Sequence, residues 1–233
     1  MSLFNNFFSP GVVTFVSDRT MDFSLRNGAS WPTLRHEHYL ETQLGFSLPT
    51  TVGLQQVHGN KIVTALLNDI QKTSLREADG LVTNEPRLAL AIRTADCLPI
   101  FMHDPKHHCI GLVHAGWKGS QQQIVAQAIQ TLQTSFGAAP QDLRVAIGPA
   151  IRGCCYEVGP EFRGHFPQDV VERKSSLFLD LISANKRQLM QQGVLADNIF
   201  DCEQCTCCQG KYFSYRREKE KAGRMISLIM LKE

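Results

Sequence analysis

Nowhere in its 233 residues does the chain hold the roughly 20 consecutive apolar residues that a helix needs to cross a bilayer. It has no marked excess of either charge: 24 Lys and Arg against 22 Asp and Glu leave a net +2, and the basic residues gather into no stripe. These absences argue against a membrane partner and against nucleic acid. Repeats, low-complexity tracts and an evident linker are missing too, so residues 1–233 are expected to form one domain with a substantial core. The opening Met1-Ser2-Leu3-Phe4-Asn5-Asn6-Phe7-Phe8 lacks the basic start and apolar middle of a signal peptide, which leads us to expect a cytoplasmic protein.

Cysteine, in contrast, is plentiful, with eight residues. The adjacent pairs Cys154-Cys155 and Cys207-Cys208 are awkward to close as disulfides and nothing indicates export, so reduced thiols are expected. Cys202, Cys205, Cys207 and Cys208 include a Cys-x-x-Cys, but no second one stands at ribbon spacing. That pattern favours a redox pair or idle thiols over a structural metal.

Apolar runs and turn residues predict alternating strands and helices. Val12 to Val16, Thr51 to Val57, Lys61 to Leu67, Leu81 to Thr83, Leu88 to Ile92, Leu98 to Met102, Cys109 to Val113, Leu143 to Ile147 and Met225 to Leu231 read as strands. Thr33 to Leu44, Ser120 to Phe136 and Leu177 to Gln191 have helical spacing, with Gly45, Gly137 and Gly193 as stops. This order predicts a mixed-sheet α/β or α+β sandwich. His36 and His38 are read as part of a solvent-facing helix, His103, His107 and His108 as a solvated turn, and Arg216 to Lys221 as a solvated mixed-sign run.

Three strand-like segments end in residues suited to chemistry. Gln55-Gln56-Val57-His58-Gly59, Ala91-Ile92-Arg93-Thr94-Ala95-Asp96-Cys97 and Val113-His114-Ala115-Gly116-Trp117-Lys118-Gly119 together offer two imidazoles and one thiolate. Three such ligands with an open fourth position are how catalytic zinc is held. Arg93 is a planar, permanently charged fork suited to an oxyanion such as phosphate. Asp96 could orient a ligand imidazole or stabilise a turn; Trp117 could stack on a ring or pack; Lys118 could neutralise phosphate; Tyr156 could line a pocket or secure its loop.

These motifs, with Ala78-Asp79-Gly80-Leu81-Val82-Thr83, Ile147-Gly148-Pro149, Cys155-Tyr156-Glu157-Val158-Gly159 and Phe213-Ser214-Tyr215-Arg216-Arg217, resemble the laccase-domain family from about Gln55 onward. That family carries the older label multicopper polyphenol oxidase and is described as purine nucleoside phosphorylases. The resemblance implies a zinc enzyme that phosphorolyses adenosine, inosine and related nucleosides and also deaminates adenosine. It implies His58, Cys97 and His114 as metal ligands, nucleoside and phosphate as small-molecule partners, and a monomer or small homo-oligomer. Two other activities stay open: a cytoplasmic amidase that edits peptidoglycan precursors, and a copper oxidase, against which the lack of further histidine pairs counts. A non-catalytic binding protein is a fourth reading. The His-x-Glu…Pro-Cys-x-x-Cys signature of nucleobase deaminases is missing, so deamination here would be an independent invention. Within the first fifty residues, Arg19 precedes Thr20-Met21-Asp22 rather than the family's paired glycines, and His36-Glu37 stands where Asn-Arg is usual. An altered nucleoside preference is the expected consequence.

Overall fold

The computed structural model describes residues 3–4, 7–25, 33–47, 50–67 and 76–232. In chain order the strands are β1 (Val12–Val16), β2 (Thr50–Val52), β3 (Ile62–Thr64), β4 (Gly80–Thr83), β5 (Leu88–Thr94), β6 (Leu98–Asp104), β7 (Cys109–Ala115), β8 (Arg144–Ile147), β9 (Glu157–Val158), β10 (Val170–Arg173), β11 (Ser176–Leu179), β12 (Ile199–Asp201) and β13 (Met225–Leu231). The helices are α1 (Leu34–Leu44), α2 (Trp117–Gln121), α3 (Ile124–Phe136), α4 (Phe162–His165), α5 (Leu181–Gln191) and α6 (Tyr215–Glu218). No helix among the described residues is long and apolar enough to cross a membrane.

The predicted mixture of sheets and helices is what the chain forms. A six-stranded sheet has the order β12-β8-β6-β7-β4-β3 and a four-stranded sheet the order β1-β13-β5-β2, each with parallel and antiparallel pairs. A smaller sheet, β10-β11-β9, is hydrogen-bonded to neither and joins the core of β6, β7 and α3 through Leu179. Strand alternation decides how they stack. Leu88, Leu90 and Ile92 of β5 share one core with Ile110 and Leu112 of β7 and Phe101 of β6, so the two large sheets face each other. The opposite face of β6 and β7, through Leu98, Ile100, Met102 and Val113, packs on Ile124, Val125, Ala128, Ile129 and Leu132 of α3 and on α5. Sheets covered on both sides need strands that are apolar throughout, and β5, β6 and β7 are buried along their length except at Arg93, which is half-buried.

Some elements differ from expectation, each for a local reason. Residues 177–179 of the expected helix Leu177–Gln191 are instead strand β11, paired antiparallel with β10; the helix starts only after Asp180, whose carboxylate accepts the Ser183 N–H at 3.0 Å as an N-cap. A short apolar run fits either period, and the hairpin partner decides. The Ser120–Phe136 helix is two pieces, α2 and α3, broken at Gln123, which takes a left-handed φ of +57°. The strands expected over Thr51–Val57 and Lys61–Leu67 shrink to β2 and β3, because His58 and its neighbours turn the chain toward the site. Of the opening stretch compared with signal peptides, residues 1–2 and 5–6 lie outside the described residues, whereas Phe4 is buried edge-on against Phe101 at 4.8 Å.

Two histidine readings need correction. His36 is not solvent-facing: it is buried, stacked on Phe23 with centroids 4.7 Å apart, and closes a capping box with Thr33. His103 is not solvated: it is buried in β6 with Phe8 against its ring, and burial, then the Arg144 charge, push its pKa down to about 4. Its ordinary value is near 6.5, so below that pH the unfolded chain takes up a proton that the folded chain refuses until about pH 4. Unfolding free energy is therefore expected to decline between pH 6.5 and 4, with about 2–3 kcal/mol of the loss due to His103. Urea titrations of His103→Leu should lack this part of the slope; an unchanged slope would mean that the imidazole is not held neutral.

Candidate metal centre and active-site cleft

The six-stranded sheet, the end of β5 and the turn after β2 bring three expected residues to one point. Ligand atoms of His58, Cys97 and His114 all lie within 4.8 Å of one another, a group that could hold a metal ion. The two imidazole rings meet nearly edge to face, at 4.9 Å and 76°. His114 lies at the end of β7, on the face shared with Ile110 and Leu112, and Cys97 stands in the turn between β5 and β6.

The group that orients this cluster is Asp79, a member of the Ala78–Thr83 motif to which the sequence assigned no role. It is fully buried just before β4, and its carboxylate accepts Nδ1–H of His114 at 2.8 Å. The same carboxylate accepts three successive amides, those of Val57 (3.2 Å), His58 (2.9 Å) and Gly59 (2.7 Å). His58 sits at a left-handed φ of +61°, a conformation costly for a side chain with a Cβ, and these three bonds hold it there. With Nδ1 committed to Asp79, Nε2 is the nitrogen of His114 left for the cluster, and on losing its proton it would be the electron-pair donor to a metal. Burial favours the neutral Asp79 acid, but the His114 hydrogen bond and charge and the Gly59 and His58 amides outweigh it and lower its pKa.

Cys97 and His114 are coupled. Burial opposes ionisation of the thiol, yet the His114 charge and hydrogen bonds from both imidazoles bring it down to about 6. Burial also opposes charge on His114, and Cys97 and Asp79 together raise it to about 9. The pair therefore favours a thiolate, the form that binds metals.

Gln56, also outside the sequence candidates, fastens the His58 turn to β5: its amide donates to the Arg93 carbonyl at 2.7 Å and accepts the Arg93 N–H at 2.8 Å. Asp96 does not touch an imidazole. Its carboxylate accepts Thr206 Oγ1 and the Arg216 N–H, each at 2.6 Å, from a left-handed φ of +87°. It thus ties the Cys97 turn to the chain after β12, in keeping with the turn-stabilising alternative, and the carboxylate on the His114 imidazole is that of Asp79. Arg216 and Arg217 are correspondingly not a free solvated run: Arg217 donates to the Thr206, Cys207 and Tyr212 carbonyls.

Close packing leaves no room for a methyl group beside the cluster. A Cβ on Gly119 would lie 2.7 Å from the Gly59 carbonyl oxygen, which is backbone and cannot swing away. Gly119→Ala should displace the His58 turn, weaken metal binding by about tenfold and cost about 1–3 kcal/mol from overpacking. Isothermal titration with zinc, beside thermal unfolding, measures both; unchanged metal affinity would contradict the close coupling of α2 to His58.

Two cavities of opposite character flank the cluster, and His58, Ala95 and Cys97 line both. The first, about 410 Å³, is polar and is bordered by Arg93 and Arg224. Burial, then the Arg224 charge, depress the Arg93 pKa to about 10, which marks a half-buried cationic pair; Arg93 also donates to the Leu54 carbonyl at 2.9 Å. The second, about 380 Å³, is more apolar and is walled by Trp117, Ile151, Tyr156 and Leu181. Both are of ligand-binding size. Of the remaining sequence candidates, Trp117 packs on Phe162 at 5.0 Å while lining the second cavity, and Tyr156 has the Arg216 guanidinium 5.3 Å over its ring. Lys118 lines neither of these cavities; its ammonium lies 5.6 Å over Trp117.

The layered mixed-sheet α/β fold gathers two imidazoles and a thiol, a group that could hold a metal ion, between two cavities. The chain belongs to the family described as multi-copper polyphenol oxidoreductase laccase, whose model matches residues 33–232. It is similar to the purine nucleoside phosphorylase YlmD of Geobacillus stearothermophilus, with 36% identity over 206 residues covering 82% of this chain and 75% of that protein. A purine nucleoside phosphorylase of Deinococcus radiodurans is 35% identical over 205 residues, covering 86% and 78%. Among solved structures, YlmD from Geobacillus stearothermophilus superposes with a TM-score of 0.86 at 31% identity, over 96% of this chain and 93% of that one. A Bacillus licheniformis hypothetical protein YfiH gives 0.84 at 28%, over 95% and 93%.

Proposed function

We propose that the protein is a zinc-dependent purine nucleoside phosphorylase acting on adenosine, inosine and related nucleosides, and that the same centre deaminates adenosine. The observation that carries this reading is the pair of unlike cavities sharing His58, Ala95 and Cys97. A nucleoside has an apolar aromatic end and a sugar that must meet an anion, and the two cavities match those needs in opposite directions.

The chain's own groups divide the work. Tyr156, Trp117, Ile151 and Leu181 receive the purine, excluding water from its faces. Arg93 and Arg224 receive phosphate, which relieves the repulsion between two cations held in one half-buried place. A phosphate oxygen then attacks the anomeric carbon as the bond to the purine nitrogen breaks; the electron pair leaves with the purine, which gains the proton that the hydrogen phosphate gives up, so that ribose 1-phosphate and the free base result. Holding the two reactants on either side of one point supplies the orientation that such a displacement requires.

The donor set fits zinc: one thiolate and two imidazoles, one of them oriented by a buried carboxylate. Zinc held by His58, Cys97 and His114 supplies a Lewis acid that can polarise a substrate atom or acidify water, the latter being what deamination asks for. A multicopper oxidase is the weaker reading, because among the described residues no further histidine group stands beside this cluster.

The test is product analysis of adenosine incubated with zinc-loaded protein, with and without phosphate. Adenine formed only with phosphate supports phosphorolysis, and inosine formed without phosphate supports deamination. Absence of both products from folded, zinc-loaded protein would sink the reading.

A further inference from the structure

We propose that Cys154, Cys155, Cys205 and Cys208 form a second metal site, a four-thiolate structural zinc centre separate from the His58, Cys97 and His114 cluster. The sulfurs of these four residues all lie within 4.8 Å of one another, although the two pairs are about fifty residues apart in the chain. Individual separations are 3.7 Å for Cys154 to Cys155, 3.5 Å for Cys154 to Cys208 and 3.1 Å for Cys155 to Cys208. A tetrahedron of sulfurs at about 2.3 Å from zinc has edges of about 3.8 Å; the three separations given fall short of that by about 0.1 to 0.7 Å and Cys205 lies within 4.8 Å of the others, so shifts of under about 1 Å would enclose the ion. A disulfide instead requires a sulfur separation of about 2.05 Å, and all four thiols are free.

The surroundings prepare the site without help from the sulfurs. Arg152, two residues before Cys154, forms a double hydrogen bond to Asp201 at 2.8 Å for each arm, and Lys186 reaches the same carboxylate at 3.0 Å. Ala150 and Cys205 form a parallel bridge, with Thr206 N–H donating to the Ala150 carbonyl at 3.0 Å. These contacts fix the turn of residues 152–155 against the turn of residues 205–208. Cys202 and Cys207, the other members of the sequence cluster, stand outside the group.

The position gives the proposed ion a purpose. Tyr156, which walls the apolar cavity, directly follows Cys155. Thr206, inside the Cys205-x-x-Cys208 turn, donates to Asp96 beside Cys97. An ion at the four sulfurs would brace two walls of the cleft from behind, in a place where the chain is otherwise turn and loop.

Metal content and cobalt spectroscopy test this directly. Purified wild-type protein should carry two zinc ions by native mass spectrometry, and Cys97→Ala should keep one. Apo protein titrated with Co²⁺ should develop a thiolate-to-cobalt charge-transfer band several times stronger than one thiolate gives. That band should persist in Cys97→Ala and fall to single-thiolate strength in Cys205→Ser/Cys208→Ser, which should still bind one ion. The wild-type measurements stand even where a variant fails to fold. A wild-type limit of one zinc, a cobalt band of single-thiolate strength, or rapid alkylation of all four cysteines in zinc-saturated protein would each overturn the proposal.

Discussion

Cys97→Ala protein is expected to lose about 10³-fold or more in kcat/KM for phosphorolysis while staying folded. The substitution removes the only thiolate of the cluster and leaves His58 and His114 as a two-ligand remnant. A Lewis acid contributes several kcal/mol to a developing charge, and about 4 kcal/mol corresponds to that rate loss. The fold should survive because Cys97 is a turn residue whose neighbour Asp96 supplies the anchoring bonds to Thr206 and Arg216. Kinetics, zinc content and circular dichroism on one preparation give the answer. Retained turnover without metal at the cluster would remove zinc from the mechanism.

Asp79→Asn is expected to damage both activity and stability. The carboxylate accepts four hydrogen bonds, three from consecutive amides and one from His114. Asparagine offers one acceptor oxygen, and its amide donor would face groups that are themselves donors. Unsatisfied buried donors and the lost charge beside His114 together cost about 2–4 kcal/mol. Loss of the bond that orients the imidazole should weaken zinc binding by about 10- to 100-fold. The pH dependence has a definite sign. Because the folded Asp79 carboxyl lies below its ordinary value, its stabilisation is complete above about pH 4 and fades as pH falls further. The Asp79→Asn variant should lack that acid-side loss. Equal stability of the two proteins near neutral pH would show that the carboxylate does not hold the His58 turn.

Much of the fold was legible in the chain because its signals are local. Val12–Val16 is rich in β-branched residues and Met225–Leu231 is apolar but for Ser227, and both are strands over those limits. The run Ser176–Leu179 carried no such information: a serine followed by three apolar residues fits a strand or the first turn of a helix, and only pairing with β10 separates them. His103 was misjudged because His-Asp-Pro reads as a turn, whereas β6 and β7 pair through Asp104 and Cys109 and carry the imidazole into the core.

The site shows the same division. Residue type and strand-end position singled out His58, Cys97 and His114, and the described atoms converge. Asp79 lies 21 and 35 residues from its partners His58 and His114, so no spacing rule could connect them. The cysteines near the C-terminus invited grouping by sequence proximity, but the chain pairs Cys205 and Cys208 with Cys154 and Cys155 and leaves Cys202 and Cys207 aside.

What the sequence determined by itself is the chemistry on offer: apolar runs long enough for buried strands, and imidazole, thiol and guanidinium groups at their ends. Which of these groups meet was decided by tertiary structure, through the antiparallel registers of β4 with β7 and of β6 with β7 and the face-to-face stacking of the large sheets. The physical reason is that periodicity fixes only the face on which a side chain lies, whereas strand order and register fix its neighbours across the sheet.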